Sequence, residues 1–166
     1  MQRILILGSP GTGKSTLARE LSQLLQLPLY HLDQLFFEAD WVINEAKFNQ
    51  QLQAVLKQDQ WIIDGHYAAS LPDRLSRADA VIYLDYPAPV ALLGVIKRYF
   101  QYRHTTRPDM ASGCTEQLQP SFLWYVFTFK FKKRKQTLKA LTSANVPVYF
   151  FQTRKETTAF LQSLAS

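Results

Sequence analysis

The chain has 166 residues, of which 47% are hydrophobic and 19% charged, with a formal net charge of +6. That length suits one domain (1–166) and that balance can bury a core, which argues against global disorder. The positive excess biases the partner toward an anion without separating ATP from nucleic acid or a lipid surface.

The single cysteine, Cys114, and three histidines exclude an internal disulfide and a multi-cysteine zinc site, so a reducing cytoplasm is the simplest compartment. The first apolar run, residues 4–7, is too short for a secretory signal. No stretch reaches the roughly 18 apolar residues of a spanning helix. A cytoplasmic protein with no membrane partner is therefore expected.

In chain order, residues 3–7 form a short β-type run ended by Gly8, and residues 14–26 carry Leu17, Leu21, Leu24 and Leu25 at helical spacing. Pro28 stops that helix, and residues 29–32 read as a second strand ending at Asp33. Asn44 can cap a helix with Phe48, Leu52, Val55 and Leu56 on one face. Strand 61–63 then ends at Asp64-Gly65, and strand 80–84 ends at Asp85. Pro87 and Pro89 break the chain before a helix at 90–102, and residues 146–151 supply a fifth strand ahead of a C-terminal helix. Short apolar strands alternating with helices predict a three-layer α/β domain with a parallel five-stranded sheet covered on both faces. Residues 104–119 break the alternation, being polar with no periodic apolar face, and read as a mobile excursion.

Gly8-Ser9-Pro10-Gly11-Thr12-Gly13-Lys14-Ser15-Thr16 matches G-x-x-x-x-G-K-[S/T] between a strand and a helix, the context that gives the pattern its meaning. Its glycines let backbone N–H groups turn inward as an anion nest at a helix N-terminus. Lys14 can reach the β- and γ-phosphates of ATP, and Ser15 offers a hydroxyl to Mg²⁺. A P-loop NTPase fold follows.

Ligands in such sheets sit beyond the strands' carboxyl ends, where Asp33, Asp64 and Asp85 all lie. Asp64, after an apolar run and before Gly65, suits a carboxylate holding Mg²⁺. Asp33 suits orienting an acceptor hydroxyl or taking its proton, with a helix N-cap as the alternative. Asp85 precedes Tyr86-Pro87 and reads as a turn residue. His31 reads as structural, while His66 and Tyr67 can line an acceptor pocket. Arg98, Arg103 and Arg107 straddle the start of the excursion, where a closing lid would bring guanidiniums over phosphates. Cys114 reads as a small packing residue. Phe122, Tyr125 and Phe129 can pack as one helical stripe while the basic run at 130–135 projects outward, an arrangement that otherwise reads as a nucleic-acid or membrane patch.

The segments GSPGTGKST, LYHLDQLFF, WIIDGHY, AVIYLDYP and RPDMASGC, with the aromatic-basic helix that follows, resemble the DNA topology modulation protein family of adenylate-kinase-like P-loop proteins over nearly the whole chain. The resemblance implies strand order 2-3-1-4-5 and a lid between the fourth and fifth strands. It also implies an acceptor-side acid at Asp33 and lid arginines at Arg103 and Arg107. Where adenylate kinases carry an arginine soon after Asp-Gly, this chain has Asp64-Gly65-His66-Tyr67, and it lacks a recognisable AMP segment. The expected activity is Mg-dependent phosphoryl transfer from ATP to an unidentified small acceptor, with Lys14, Asp33, Arg103 and Arg107 catalytic. The alternative is a nucleotide-dependent DNA-binding regulator; neither P-loop nor lid supplies base readout, so nucleic acid is not favoured.

Overall fold

The computed structural model describes residues 1–165. Five parallel strands, β1 (Arg3–Gly8), β2 (Leu29–His31), β3 (Trp61–Asp64), β4 (Ala80–Leu84) and β5 (Val148–Phe151), pair in the order β2-β3-β1-β4-β5. This is the three-layer arrangement expected, with β1 at the centre. Ile4, Leu5, Ile6 and Leu7 are fully buried, and their alternation divides the core. Leu5 and Leu7 pack with Leu52, Trp61, Ile63 and Val81 on one face. On the other, Ile4 and Ile6 pack with Leu17, Leu21, Ile62 and Ile82. Burial of each such side chain contributes roughly 1.5–3 kcal/mol, so the strand that launches the glycine-rich loop is firmly held at the centre of the sheet.

Helices α1 (Lys14–Leu25), α3 (Glu45–Leu56), α5 (Ala88–Tyr102) and α8 (Arg154–Ala165) match the periodic segments. The Asn44 side chain accepts a hydrogen bond from the Lys47 N–H, as its capping role predicts. Three short or polar helices were not legible: α2 (Leu32–Phe36), α4 (Leu71–Leu75) and α7 (Arg134–Ser143), the last separated from α6 (Pro120–Lys132) at Lys133. No helix among the described residues is long and apolar enough to cross a membrane.

Two expectations need correction here. Only Leu29, Tyr30 and His31 pair with β3, so the strand stops before Leu32 and Asp33 sits in the first turn of α2 rather than at a strand end. The 104–119 excursion is also better anchored than its polarity implied: Arg107, Asp109, Met110, Cys114 and Glu116 are all buried. Its interior is built largely from ion pairs, which leave no apolar periodicity to read. Isolated bridges join Arg103 to Glu116 and Thr106 to Thr115, and the Cys114 thiol donates to the Glu38 carbonyl at 3.1 Å. Cys114 is 1% exposed, in keeping with a packing role.

Candidate functional site

The glycine-rich loop leaves β1 at Gly8, where φ is +144°, and passes through Gly11 at +81° and Gly13 at +90°, the last preceding α1. These left-handed angles are open to glycine and strained for other residues. The Thr12 hydroxyl and the Lys14 ammonium each donate to the Ser9 carbonyl at 2.8 Å. Lys14 thus arches across the loop, and burial lowers its pKa, an effect that an adjacent anion would offset. Pro10, Gly11, Gly13, Lys14, Ser15 and Thr16 line a cavity of about 970 Å³ together with Gly8. Ser9 and Thr12 turn inward and are buried, which leaves their backbone N–H groups rather than their side chains for a phosphate.

The loop also depends on a glycine that sequence inspection passed over. Gly94, in the middle of α5, lies against the Gly11 backbone, and a methyl there would collide with the Gly11 carbonyl oxygen. Gly94→Ala is therefore expected to push the loop off α5, costing about 1–3 kcal/mol of stability and weakening ATP binding. Thermal unfolding and ATP titration would check both.

At the loop's far side the Ser15 hydroxyl donates to Asp64 Oδ2 at 2.6 Å, and His31 Nδ1 lies 2.9 Å from the same oxygen. Asp64 Oδ1 is buried without a hydrogen-bond partner. A buried carboxylate oxygen left unpartnered beside a hydroxyl is a costly arrangement in the absence of a cation. These hard oxygens fit Mg²⁺ bound alongside nucleotide phosphates and water. His31 is thus a buried hydrogen-bond partner of the carboxylate, in keeping with the structural role expected. Asp109 also reaches this corner. Burial opposes its ionisation, but the Arg107 charge and a Ser15 contact prevail and hold it below the usual carboxylate range.

The opposite wall carries Asp33, His66 and Tyr67, with Phe37, Trp41 and Tyr125 nearby. The Tyr67 hydroxyl donates to Asp33 Oδ1 at 2.7 Å. Asp33 is not the N-cap, a position His31 takes. Enclosure by the cavity walls raises the Asp33 pKa, although 39% of its side chain stays open to the cavity, and burial followed by the Asp33 charge raises that of Tyr67. Burial, then the positive charges of Lys14, Arg74 and Lys133, lower His66 to about 4, so its imidazole is neutral at pH 7. Arg74, fully buried, holds this wall from behind by donating to the carbonyls of Gly65, His66, Tyr67 and Ser70 at 2.7–3.3 Å.

The arginines divide. Arg107 is buried and lines the cavity. Its Nη1 donates to Asp109 at 3.1 Å, its Nε lies 2.7 Å from Glu116 Oε2, and Asp33 Oδ2 is 3.9 Å from Nη2. Arg98 lines the same cavity and donates from Nε to Glu116 Oε1 at 2.8 Å. Arg103, expected beside them, caps the C-terminus of α5 and is exposed, and it is not among the cavity-lining residues. The direction in which α5 ends separates it from Arg107, four residues on. Asp85 is likewise not a simple turn residue: it is buried, accepts from Arg134 Nε at 3.0 Å and lies 3.7 Å from Lys130. Part of the basic run therefore folds inward. The aromatic stripe forms as expected, with Tyr125 stacked on Phe122 and edge-on to Phe129.

Residues 4–92, more than half of the chain, match the AAA domain family. The chain belongs to the AAA domain family. Curated relatives refine this to an adenylate-kinase-like P-loop NTPase. Adenylate kinase of Thermosipho africanus (strain TCF52B) is 30% identical over 76 residues, 46% of this chain and 35% of that protein. Adenylate kinase of Cyanothece sp. (strain PCC 7425 / ATCC 29141) is 33% identical over 79 residues, 48% of this chain and 40% of that one. The chain thus spans well under half the length of these relatives.

Solved structures agree on the fold. Shikimate kinase from Acinetobacter baumannii in complex with shikimate superposes with TM-score 0.58 at 16% identity, covering 99% of this chain and 93% of that one. Shikimate kinase from Bacteroides thetaiotaomicron gives 0.56 at 19%, with 98% and 95% covered. Deoxyadenosine kinase from M. mycoides with bound dATP gives 0.56 at 15%, with both chains fully covered.

Proposed function

We propose that the protein is a Mg²⁺-dependent phosphotransferase that moves the terminal phosphoryl group of ATP to a hydroxyl of a small acceptor. The observation that carries this is a single cavity in which the glycine-rich loop, the Ser15–Asp64 pair, Arg107 and the Asp33–Tyr67 pair all meet. Phosphoryl transfer needs mainly positioning and charge stabilisation, and those groups divide the work. Lys14 and the loop amides hold the donor phosphates. Ser15 and Asp64 hold Mg²⁺, which when bound offsets phosphate charge. Arg107 faces the transferring group, Asp33 accepts the acceptor's proton, and Tyr67 fixes the carboxylate that receives it. The exposure of Arg103 supports Arg98, not Arg103, as the second arginine of this set.

A screen of nucleosides, nucleotides and hydroxylated metabolites for acceptor-dependent ADP release tests the reading. Stimulation by none of them, with ATP bound, would overturn it. With an acceptor in hand, pH gives a second check. A carboxyl whose pKa is raised by burial is protonated, and useless as a base, at higher pH than an exposed one. Turnover is therefore expected to fall as pH drops through a limb above the usual carboxylate range. Asp33→Asn should abolish that limb along with most activity, measured as the pH dependence of kcat/KM.

Membership of the DNA topology modulation group rests on the sequence segments quoted above. A second reading, direct nucleic-acid binding, draws on one observation. Residues 86–153 carry ten Lys or Arg and two acidic residues, a net +8, against nine and eleven, a net −2, elsewhere. Both acids in that segment, Asp109 and Glu116, are buried, and Trp124, Phe127 and Phe131 of α6 are exposed. DNA binding through this surface would weaken steeply with salt and need no acceptor.

A further inference from the structure

Glu116 is the least expected group in the cavity: a carboxylate with 3% side-chain exposure, placed between two guanidiniums from different parts of the chain. Arg98 comes from α5 and Arg107 from the segment that follows it. Oε1 accepts from Arg98 Nε at 2.8 Å, and Oε2 lies 2.7 Å from Arg107 Nε. Arg98 is thus hydrogen-bonded at its Nε edge, while Arg107 Nε faces the carboxylate at ion-pair distance without a hydrogen bond and its Nη1 donates to Asp109 at 3.1 Å. The terminal nitrogens of Arg98 make no recorded hydrogen bond among the described residues. Nη2 of Arg107 has only a 3.6 Å contact with the Met110 sulfur and the 3.9 Å approach of Asp33. Terminal guanidinium N–H groups are the ones that pair side by side with phosphate oxygens.

We propose that Glu116 is a positioning residue that yokes Arg98 to Arg107, so that the terminal N–H groups of Arg98 and the Nη2 group of Arg107 face the same phosphoryl group. The inference rests on the phosphotransferase reading and adds Glu116 to it. Two guanidiniums brought together in a partly dehydrated cavity repel, and burial followed by the Arg107 charge lowers the Arg98 pKa. One carboxylate between them offsets that repulsion and fixes their spacing. A phosphoryl group entering from the cavity side then meets a preformed pair, with little reorganisation left to perform. The bridge also ties the 103–119 segment to α5, so the arginine on that segment is in register with the arginine on the helix. Arg98 is steadied further by the Phe122 ring, whose centroid is 5.8 Å from its guanidinium carbon.

The test measures ADP release from Mg·ATP, with water as the default acceptor, and Mg·ATP affinity, in the native chain, Glu116→Gln, Arg98→Ala, Arg107→Ala and their combinations. Glu116→Gln is expected to lower kcat by roughly 10–100-fold, the loss usual when the partner that orients a site ligand is removed, with KM for Mg·ATP little changed. With Glu116 present, Arg98→Ala and Arg107→Ala should be non-additive in kcat because the two act as a unit. In the Glu116→Gln background their effects should become additive. A merely structural carboxylate would lower the thermal midpoint without changing that coupling. Should Glu116→Gln fail to fold, the Arg98–Arg107 cycle in the native background still decides, since additive effects there would overturn the yoke. Native kcat in Glu116→Gln overturns this inference alone, whereas failure of the native chain to bind Mg·ATP overturns the phosphotransferase reading with it.

Discussion

Lys14→Ala is expected to lower Mg·ATP-dependent turnover on the order of 10²–10³-fold, the loss seen when one preorganised donor to a transition-state oxygen is deleted. The ammonium now donates to the Ser9 carbonyl, inside its own loop. Burial lowers its pKa, so the charged form is held at some cost until an anion arrives. Phosphate oxygens repair that deficit, and the gain is largest where charge builds during transfer. ATP affinity should fall less than turnover. The fold should survive, because Lys14 belongs to neither of the hydrophobic clusters that bury β1. Turnover and titration of ATP, beside a thermal scan, would check all three. Native turnover in Lys14→Ala would remove the loop from the chemistry.

Why the loop, the strands and Asp64 were legible while much of the opposite wall was not comes down to where each signal is stored. Gly8 and Gly13 act through backbone conformation and Lys14 and Ser15 through side chains at fixed spacing from them, so a short stretch of sequence contains the whole device. The strands are buried on both faces and read as continuous apolar runs. Asp64 stands out in the sequence because it ends such a run. Glu116 and Asp109 do their work through partners on other elements, and Gly94 is needed only because Gly11 packs against α5. None of these leaves a local pattern. Arg74 was hidden for a related reason: all of its recorded hydrogen-bond partners are backbone carbonyls, which have no sequence identity. The 104–119 segment misled most directly. Polar composition normally marks a solvated loop, but here the polar groups pair with one another and Arg107, Asp109 and Glu116 are among the most buried charges in the molecule. Arg103, placed with Arg107 as a lid arginine by the family resemblance, is exposed and does not line the cavity, because α5 ends at Tyr102 and directs it away.

Asp64→Asn is the other substitution with a large expected effect, and the geometry makes its outcome specific. Asp64 Oδ2 already receives the Ser15 hydroxyl and faces His31, while Oδ1 is buried and unpartnered. Asparagine preserves the shape and one acceptor oxygen, so Ser15 keeps its partner when the amide oxygen takes the Oδ2 position. The amide nitrogen replaces either the orphaned oxygen or the one facing His31, and in both cases the negative charge that favours a cation is gone. Turnover is expected to drop roughly 10–100-fold through weakened metal affinity, the range measured when supporting ligands of metal sites are altered. Raising Mg²⁺ should recover part of that loss, because mass action can refill a weakened site but cannot restore the lost charge. Nucleotide affinity without metal should remain near native, since Lys14 and the loop amides are untouched. Stability is not expected to rise, because the atom at the Oδ1 position stays buried without a partner and Lys14 and Arg74 lose the attraction of the carboxylate. Measuring ADP release across a Mg²⁺ series, with a Mn²⁺ titration of nucleotide-loaded protein as an independent readout, separates these effects. Equal activity of Asp64→Asn and native protein at every Mg²⁺ concentration would exclude Asp64 from holding the cation.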